Sequence, residues 1–301
     1  ALGGLPSGDF IVAGGANLTT EWTKLLAATD RRLTRAFPQV FDLPGIDEQG
    51  LDDVEQSTRA MLDGVNRITF VALPSSKGEA LFSNAFAMVD VEEASVYLES
   101  LKRSFELENR VGERVEPEIR FDWSIESFQI DEAAGYKFGV DLARAAADPN
   151  VPQWDGIVRR FCGEDGELWL YALPVDGDRA VLCVESCDKL AALRASLRNG
   201  DSALAGRDDI RATFKLMDKS APWRLYVSPD QTLDFVQRYL EAFFKQLGGV
   251  ALLAPAPKYP AAPPVGFTLQ LTQRQLQAEV VWPNASIDAL AAFIKAYRHD
   301  D

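Results

Sequence analysis

Two rhythms of apolar and polar positions run along this chain, and they recur in one order. Leu168–Pro174 and Arg179–Glu185 are apolar runs of strand length, joined across Asp176-Gly177-Asp178. Such residues suit a tight turn. After Ser186 apolar residues return every three or four positions, as on a helix. The same strand–turn–strand–helix order occurs twice more. Ile68–Pro74 and Ala80–Val89 precede a helix that starts after Asp90, and Val265–Leu271 and Leu276–Trp282 precede one that starts after Ser286. If Asp90, Ser186 and Ser286 are N-caps, accepting from first-turn N–H groups, the stripes coincide. Ala94, Leu190 and Leu290 stand four residues on, then Tyr97, Leu193 and Phe293, then Leu101, Leu197 and Tyr297. This spacing lays one apolar stripe along each helix. Asp90 with Glu93 also fits a capping box. Arg194 breaks the match where Leu98 and Ile294 agree, and Pro283-Asn284 is inserted before the third helix.

A spacing near a hundred residues fits a duplicated domain unit, not a short solenoid repeat. The expected division is 1–110, 111–200 and 201–301, with units that can merge into one or two compact domains. Elsewhere, Asp9–Ala13 is a strand stopped by Gly14-Gly15, and Asn17 or Thr19 caps a helix to about Phe37. A second helix covers Leu51–Leu62. Ile119, Phe121, Trp123 and Ile125 alternate with polar residues as in a half-buried strand; Phe128 and Ile130 continue on a shifted phase, which a bulge or bend would explain. Tyr136–Val140 is a strand, with Asp141 capping a short helix over Leu142–Ala147. Later come a helix near Asp208–Met217, a strand over Trp223–Val227 and a helix from Thr232 to Leu247. Ala254–Pro264 holds five prolines, fitting an extended loop. The pattern predicts an α+β fold of strand–helix and β-hairpin–helix units, its antiparallel sheets carrying helices largely on one face.

Composition narrows the function. With 301 residues and a formal net charge of −14, the chain can bury a core and repels phosphate backbones, so no nucleic-acid partner is expected. Anionic membrane surfaces are disfavoured for the same reason. No run is long enough to span a bilayer, and no signal-peptide pattern is read. The chain opens on Ala1-Leu-Gly-Gly without Met, as a trimmed or mature form would. Its three cysteines, Cys162, Cys183 and Cys187, do not make a disulfide framework. A bridge from Cys162 to either of the others is geometrically conceivable; buried thiols are the plainer reading.

The sequence offers no catalytic residue. Its single histidine, His299, lies at the end of the chain, away from any nucleophile motif. Gly14-Gly15 follows a strand but lacks the third glycine of a phosphate loop, so no cofactor is expected. No metal site is expected either: Glu164-Asp165-Gly166-Glu167 and Asp176-Gly177-Asp178 read as turns without the spacing of a calcium loop. Glu126, Glu185 and Asp141 lie on or beside strands, with nothing in one dimension to pair them for glycosidic chemistry. Of six tryptophans, Trp123, Trp169, Trp223 and Trp282 fall on predicted strands, where aromatics ordinarily fill the core, and Trp22 falls on a helix stripe. Trp154, in a loop, and Tyr259, in the proline-rich loop, are the candidate ligand-binding residues.

Over its second half the chain resembles uncharacterised bacterial envelope proteins of a domain-of-unknown-function family. The likeness rests on Ala192–Asp230, with Leu-Arg-Asn-Gly, Ser-Ala-Leu-Ala, Asp-Asp-Ile and Ala-Pro-Trp-Arg-Leu-Tyr-Val-Ser, and on Ala262–Leu269 and Ala278–Pro283. These patterns are diffuse, and none is a diagnostic motif. The resemblance implies export, and it supplies no catalytic residue. The expected function is a non-enzymatic extracytoplasmic binding or scaffold protein that meets a protein, peptide, lipid or glycan. The competing expectations are a carboxylate-dependent hydrolase, with or without calcium, and a structural subunit of an envelope assembly.

Overall fold

The computed structural model describes residues 2, 5, 8–36, 46–75, 80, 83–112, 122–142, 158–159, 162–163, 166–184, 187–199, 204–246, 257–271 and 275–299. They form an α+β fold with antiparallel strand pairing. The chain divides into two compact units, each assembled from separated segments. One comprises Ala1–Asn17, Thr69–Ala87 and Ala195–Asp301, the other Leu18–Ile68 and Met88–Arg194. Strands β2 (Val65–Ala72) and β3 (Ala85–Val91) contribute residues to both.

In the unit of Leu18–Ile68 and Met88–Arg194, three helices pack in sequence: α1 (Thr20–Ala36), α2 (Glu48–Leu62) and α3 (Ala94–Gly112). Thr19 caps α1, its Oγ1 accepting from Trp22 N at 3.4 Å. Asp47 caps α2, accepting from Gly50 N at 2.7 Å. Arg31 on α1 pairs with Glu48, Asp52 and Glu55, all on α2. The stripe of α3 is buried as its spacing predicts, with Ala94, Tyr97, Leu98 and Leu101 all in the core. Its N-terminus departs from prediction. Asp90 lies in β3 and forms an ion pair with Arg67 at 2.7 Å. The first helical N–H, of Ala94, donates instead to Gly177 O at 2.9 Å, in the turn between Pro174 and Arg179. A tertiary neighbour thus supplies the acceptor that a local cap would have offered.

The strands of this unit are β4 (Ser124–Ile130), β5 (Ala133–Asp141), β6 (Glu167–Pro174) and β7 (Arg179–Val184), each paired antiparallel with the next. Trp123 stands just before β4, not in it, and its ring centroid lies 4.6 Å from that of Phe105. Phe138, fully buried, stacks on Phe105 at 4.2 Å. The register of β4 on β5 is continuous from Ser124↔Gly139 to Ile130↔Ala133, so the shifted apolar phase comes without a bulge. Ile125 simply faces one side of the strand, and Phe128 and Ile130 the other. Helix α4 (Cys187–Asn199), whose residues from Ala195 on belong to the other unit, buries Leu190, Leu193 and Leu197. Arg194, the residue that interrupts the stripe, is also buried; its Nε donates to Pro174 O at 2.9 Å. Cys162 and Cys183 are buried; the side chain of Cys187 lies outside the described residues.

In the other unit β1 (Val12–Asn17) pairs with β8 (Trp223–Val227), β8 with β9 (Val265–Leu271) and β9 with β10 (Leu276–Val281). Gly14 and Gly15 do not stop β1; they lie within it. A Cβ on Gly14 would stand 2.8 Å from Arg224 O and 2.9 Å from Phe70 Cζ, so the glycine serves close approach, not a phosphate loop. Helix α5 (Asp208–Leu216) covers one face of these strands: a Cβ on Gly266 would meet Met217 and Thr213, and Thr213 Oγ1 donates to Pro264 O at 2.8 Å. Helices α6 (Pro229–Gln246) and α7 (Asn284–His299) complete the described unit. Trp282, just past β10, is exposed and does not fill the core.

Candidate functional site

The third predicted stripe behaves unlike the first two. Of the apolar residues along α7, Leu290 and Phe293 are half-buried, while Ile294 and Tyr297 stand 43% and 51% exposed. Nor is Ser286 the N-cap. It is the third residue of the helix, and it is fully buried. Its Oγ donates to Pro263 O at 2.6 Å, and its carbonyl accepts from the Tyr259 hydroxyl at 3.3 Å. The Pro283 carbonyl accepts from Ser286 N and Ile287 N at the start of the helix. The inserted Pro283-Asn284 moves the helix start upstream, so Ser286 becomes an anchor for the proline-rich segment.

That anchoring builds a groove. Its volume is about 710 Å³, and it is lined by Leu233, Val236 and Leu240 of α6, by Pro257, Lys258 and Tyr259, and by Phe293 and Tyr297 of α7. Leu233, Val236 and Leu240 recur at helical spacing, so one face of α6 supplies one wall. Phe293 lies 5.3 Å from Tyr259 and 6.3 Å from Tyr297, centroid to centroid, so three rings form a continuous row on the other wall. Leu233 and Val236 are 38% and 42% exposed, so apolar surface faces water in the described structure. Asp230, Gln231, Asp234 and Gln237 supply a polar rim.

The rim groups have local partners. Asp230 accepts from Ser228 Oγ at 2.7 Å and from Gln231 Nε2 at 3.1 Å. Asp234 pairs with Arg238, whose Nη1 also donates to Ser75 O at 2.6 Å. Burial, and then the Asp230 carboxylate, push the Tyr259 hydroxyl above the ordinary phenol range, so it stays a donor at neutral pH.

Of the two sequence candidates, Tyr259 joins the groove. Its ring is buried in the wall, not displayed as an exposed platform. Trp154 lies outside the described residues. Of the carboxylates considered for hydrolysis, Glu126 pairs with Lys137 at 2.8 Å, Asp141 ends β5 opposite Glu167, and Glu185 lies outside the described residues. Asp176 in the turn after β6 pairs with Arg179. The half-buried carboxyl of Glu108, raised above its ordinary range by desolvation, sits against Ser57 on the α2–α3 contact. Among the described residues no three His, Cys, Asp or Glu side chains gather as a metal site would require. No helix among them is long and apolar enough to cross a membrane.

Leu233, Val236 and Leu240 were missed as site residues. Their spacing is that of any amphipathic helix, and nothing in one dimension tells an exposed stripe from a buried one.

No family model and no curated protein matches this sequence. A solved structure described as "Structure of crystal form III of TP0453" aligns with it at a TM-score of 0.36 and 10% identity, over 97% of this chain and 85% of that one. A likeness of this size carries no argument about function.

Proposed function

We propose that the chain is a non-catalytic, extracytoplasmic binding protein whose α6–α7 groove receives an amphipathic helical segment of a partner protein. The observation that carries this reading is the aromatic row Tyr259–Phe293–Tyr297 facing the Leu233–Val236–Leu240 stripe across a cleft of about 710 Å³. Two helices presenting open stripes to each other accept a third stripe at the same spacing, which is how helix-in-groove recognition works. Charge selects the partner further. Asp230 and Asp234 stand on the rim of a chain with net charge −14, so a basic polar face on the incoming helix is favoured. The sequence likeness to exported envelope proteins supports an extracytoplasmic setting, and cytoplasmic retention of the full-length protein on cell fractionation would count against it.

Fluorescence anisotropy with a labelled Leu/Lys amphipathic peptide tests the groove. Binding is expected in the micromolar range, about −8 kcal/mol, and weaker at high salt. Phe293→Ala should weaken it roughly tenfold, and Tyr297→Ala, at an exposed position, by several-fold without loss of fold. Equal affinity for a Leu/Glu peptide would overturn the assignment, as would displacement of the peptide by phosphatidylcholine vesicles.

A further inference from the structure

Strand β10 has a single neighbour, β9, among the described strands. Its other side carries backbone groups that no described strand satisfies, a standing template for another strand. Such edges are ordinarily guarded by a lysine, a proline, a bulge or an inward charge. β10 has no lysine, proline or bulge. Its register on β9 is unbroken from Leu276↔Leu271 to Val281↔Gly266. Its one charged residue, Glu279, is turned back, accepting from Asp218 N and Thr268 Oγ1, each at 3.2 Å.

The exposed side chains are ordered as well. Leu276, Ala278 and Val280 share one face of the strand, continuous with Leu271, Leu269 and Phe267 of β9. Leu276 and Val280 are each 59% exposed. Read from Ala278 outward, the strand is the same in both directions: a polar residue, then a large apolar one.

We infer that β10 pairs antiparallel with β10 of a second copy, about a two-fold axis at Ala278. Leu276 then meets the partner's Val280, and Gln277 meets the partner's Glu279. Ala278 faces its own counterpart, where a small side chain lets the strands close. The surface is self-complementary, as an isologous contact requires. Glu279 faces an amide and not a second carboxylate, so the acidic charge is not opposed across the contact. β4, which also has one neighbour, lacks such a seam: Ile125 lies on one face, Phe128 and Ile130 on the other, and Glu126 is paired with Lys137. A six-residue edge with three apolar side chains per copy falls below the about 1,000 Å² of a stable specific interface, so the dimer is weak and reversible. This contact is independent of the α6–α7 groove.

Sedimentation velocity across a dilution series tests it. The protein should pass from monomer to dimer at micromolar concentrations, and Val280→Lys, at an exposed position, should weaken dimerisation at least tenfold with an unchanged circular dichroism spectrum. Cysteine crosslinking then fixes the register. Directly opposed residues lie about 4.5–5.5 Å apart at Cα, within disulfide reach. Ala278→Cys should therefore oxidise to a covalent dimer faster than Gln277→Cys and faster than the parent chain. A monomer at about 100 µM would overturn the inference. So would a dimer indifferent to Val280→Lys, or crosslinking through Gln277→Cys as fast as through Ala278→Cys.

Discussion

Substituting Ser286 by aspartate separates two accounts of how α7 is held. On the sequence reading Ser286 is an N-cap, and Asp serves there as well as Ser. In the structure its hydroxyl is a donor, reaching Pro263 O at 2.6 Å from a fully buried position. A carboxylate cannot donate, and it would place negative charge against a carbonyl oxygen. The loss has two parts. The missing hydrogen bond leaves the carbonyl unpaired, costing about 1–3 kcal/mol. Pro263 is half-buried, so water returns to its oxygen in part and the lower end applies. Burying the carboxylate adds its own desolvation, so Ser286→Asp should cost about 3 kcal/mol or more, while Ser286→Ala costs about 1 kcal/mol. Urea unfolding followed by circular dichroism measures both. The groove supplies a second readout, because Tyr259 is tied to the Ser286 carbonyl at 3.3 Å. Losing the anchor should weaken the Leu/Lys peptide together with stability. Ser286→Asp as stable as the parent chain would refute the anchoring account and restore the cap.

Two further outcomes follow from packing and titration. Burial raises the Glu108 carboxyl above its ordinary value of 4.5, while the Ser57 hydrogen bond acts the other way. The stabilisation from its protonated form is thus complete below that value and is lost as pH rises through the folded-state pKa. Glu108→Gln should remove this loss, leaving stability flatter with pH and higher than the parent chain at neutral pH; a parallel pair of pH–stability curves would contradict it. Gly135 and Gly139 are both crowded, but by different neighbours. A Cβ at 135 would meet Ala172 O, a backbone atom, at 2.2 Å, whereas at 139 it would meet the Trp169 ring, a side chain, at 2.5 Å. Gly135→Ala should cost about 3 kcal/mol and Gly139→Ala clearly less, and chemical denaturation giving the opposite order would show that the β5–β6 backbone yields more easily than the indole.

Much of the element map was legible because it depends on local pattern. The hairpins at β2–β3, β6–β7 and β9–β10 and the helices that follow them occupy the expected stretches. Leu190, Leu193 and Leu197 are buried where the spacing puts them. Asp90 and Gly14 were misread because a distant partner supplied the residue's role. Asp90 is not a cap because Gly177 O takes the Ala94 N–H. Gly14 is not a stop because Phe70 and Arg224 crowd it inside a strand. Trp282 follows strand chemistry, yet it sits past an edge strand and meets water. Tyr259 was legible as a candidate from its proline-rich setting; its place beside Phe293 was not.

Periodicity is a property of consecutive residues, so the sequence by itself determined which stretches are strands and helices, which face of each is apolar, and that the pairing is antiparallel. It also determined the acidic charge that bears on the choice of partner. Only the tertiary structure decided that β1 joins β8, more than two hundred residues away, and that the α7 stripe stays open while those of α3 and α4 close. An apolar stripe lowers the free energy by leaving water, but it does not specify against what. That choice depends on which surfaces the rest of the chain brings near, and among the described residues it left the α7 stripe and the β10 edge open.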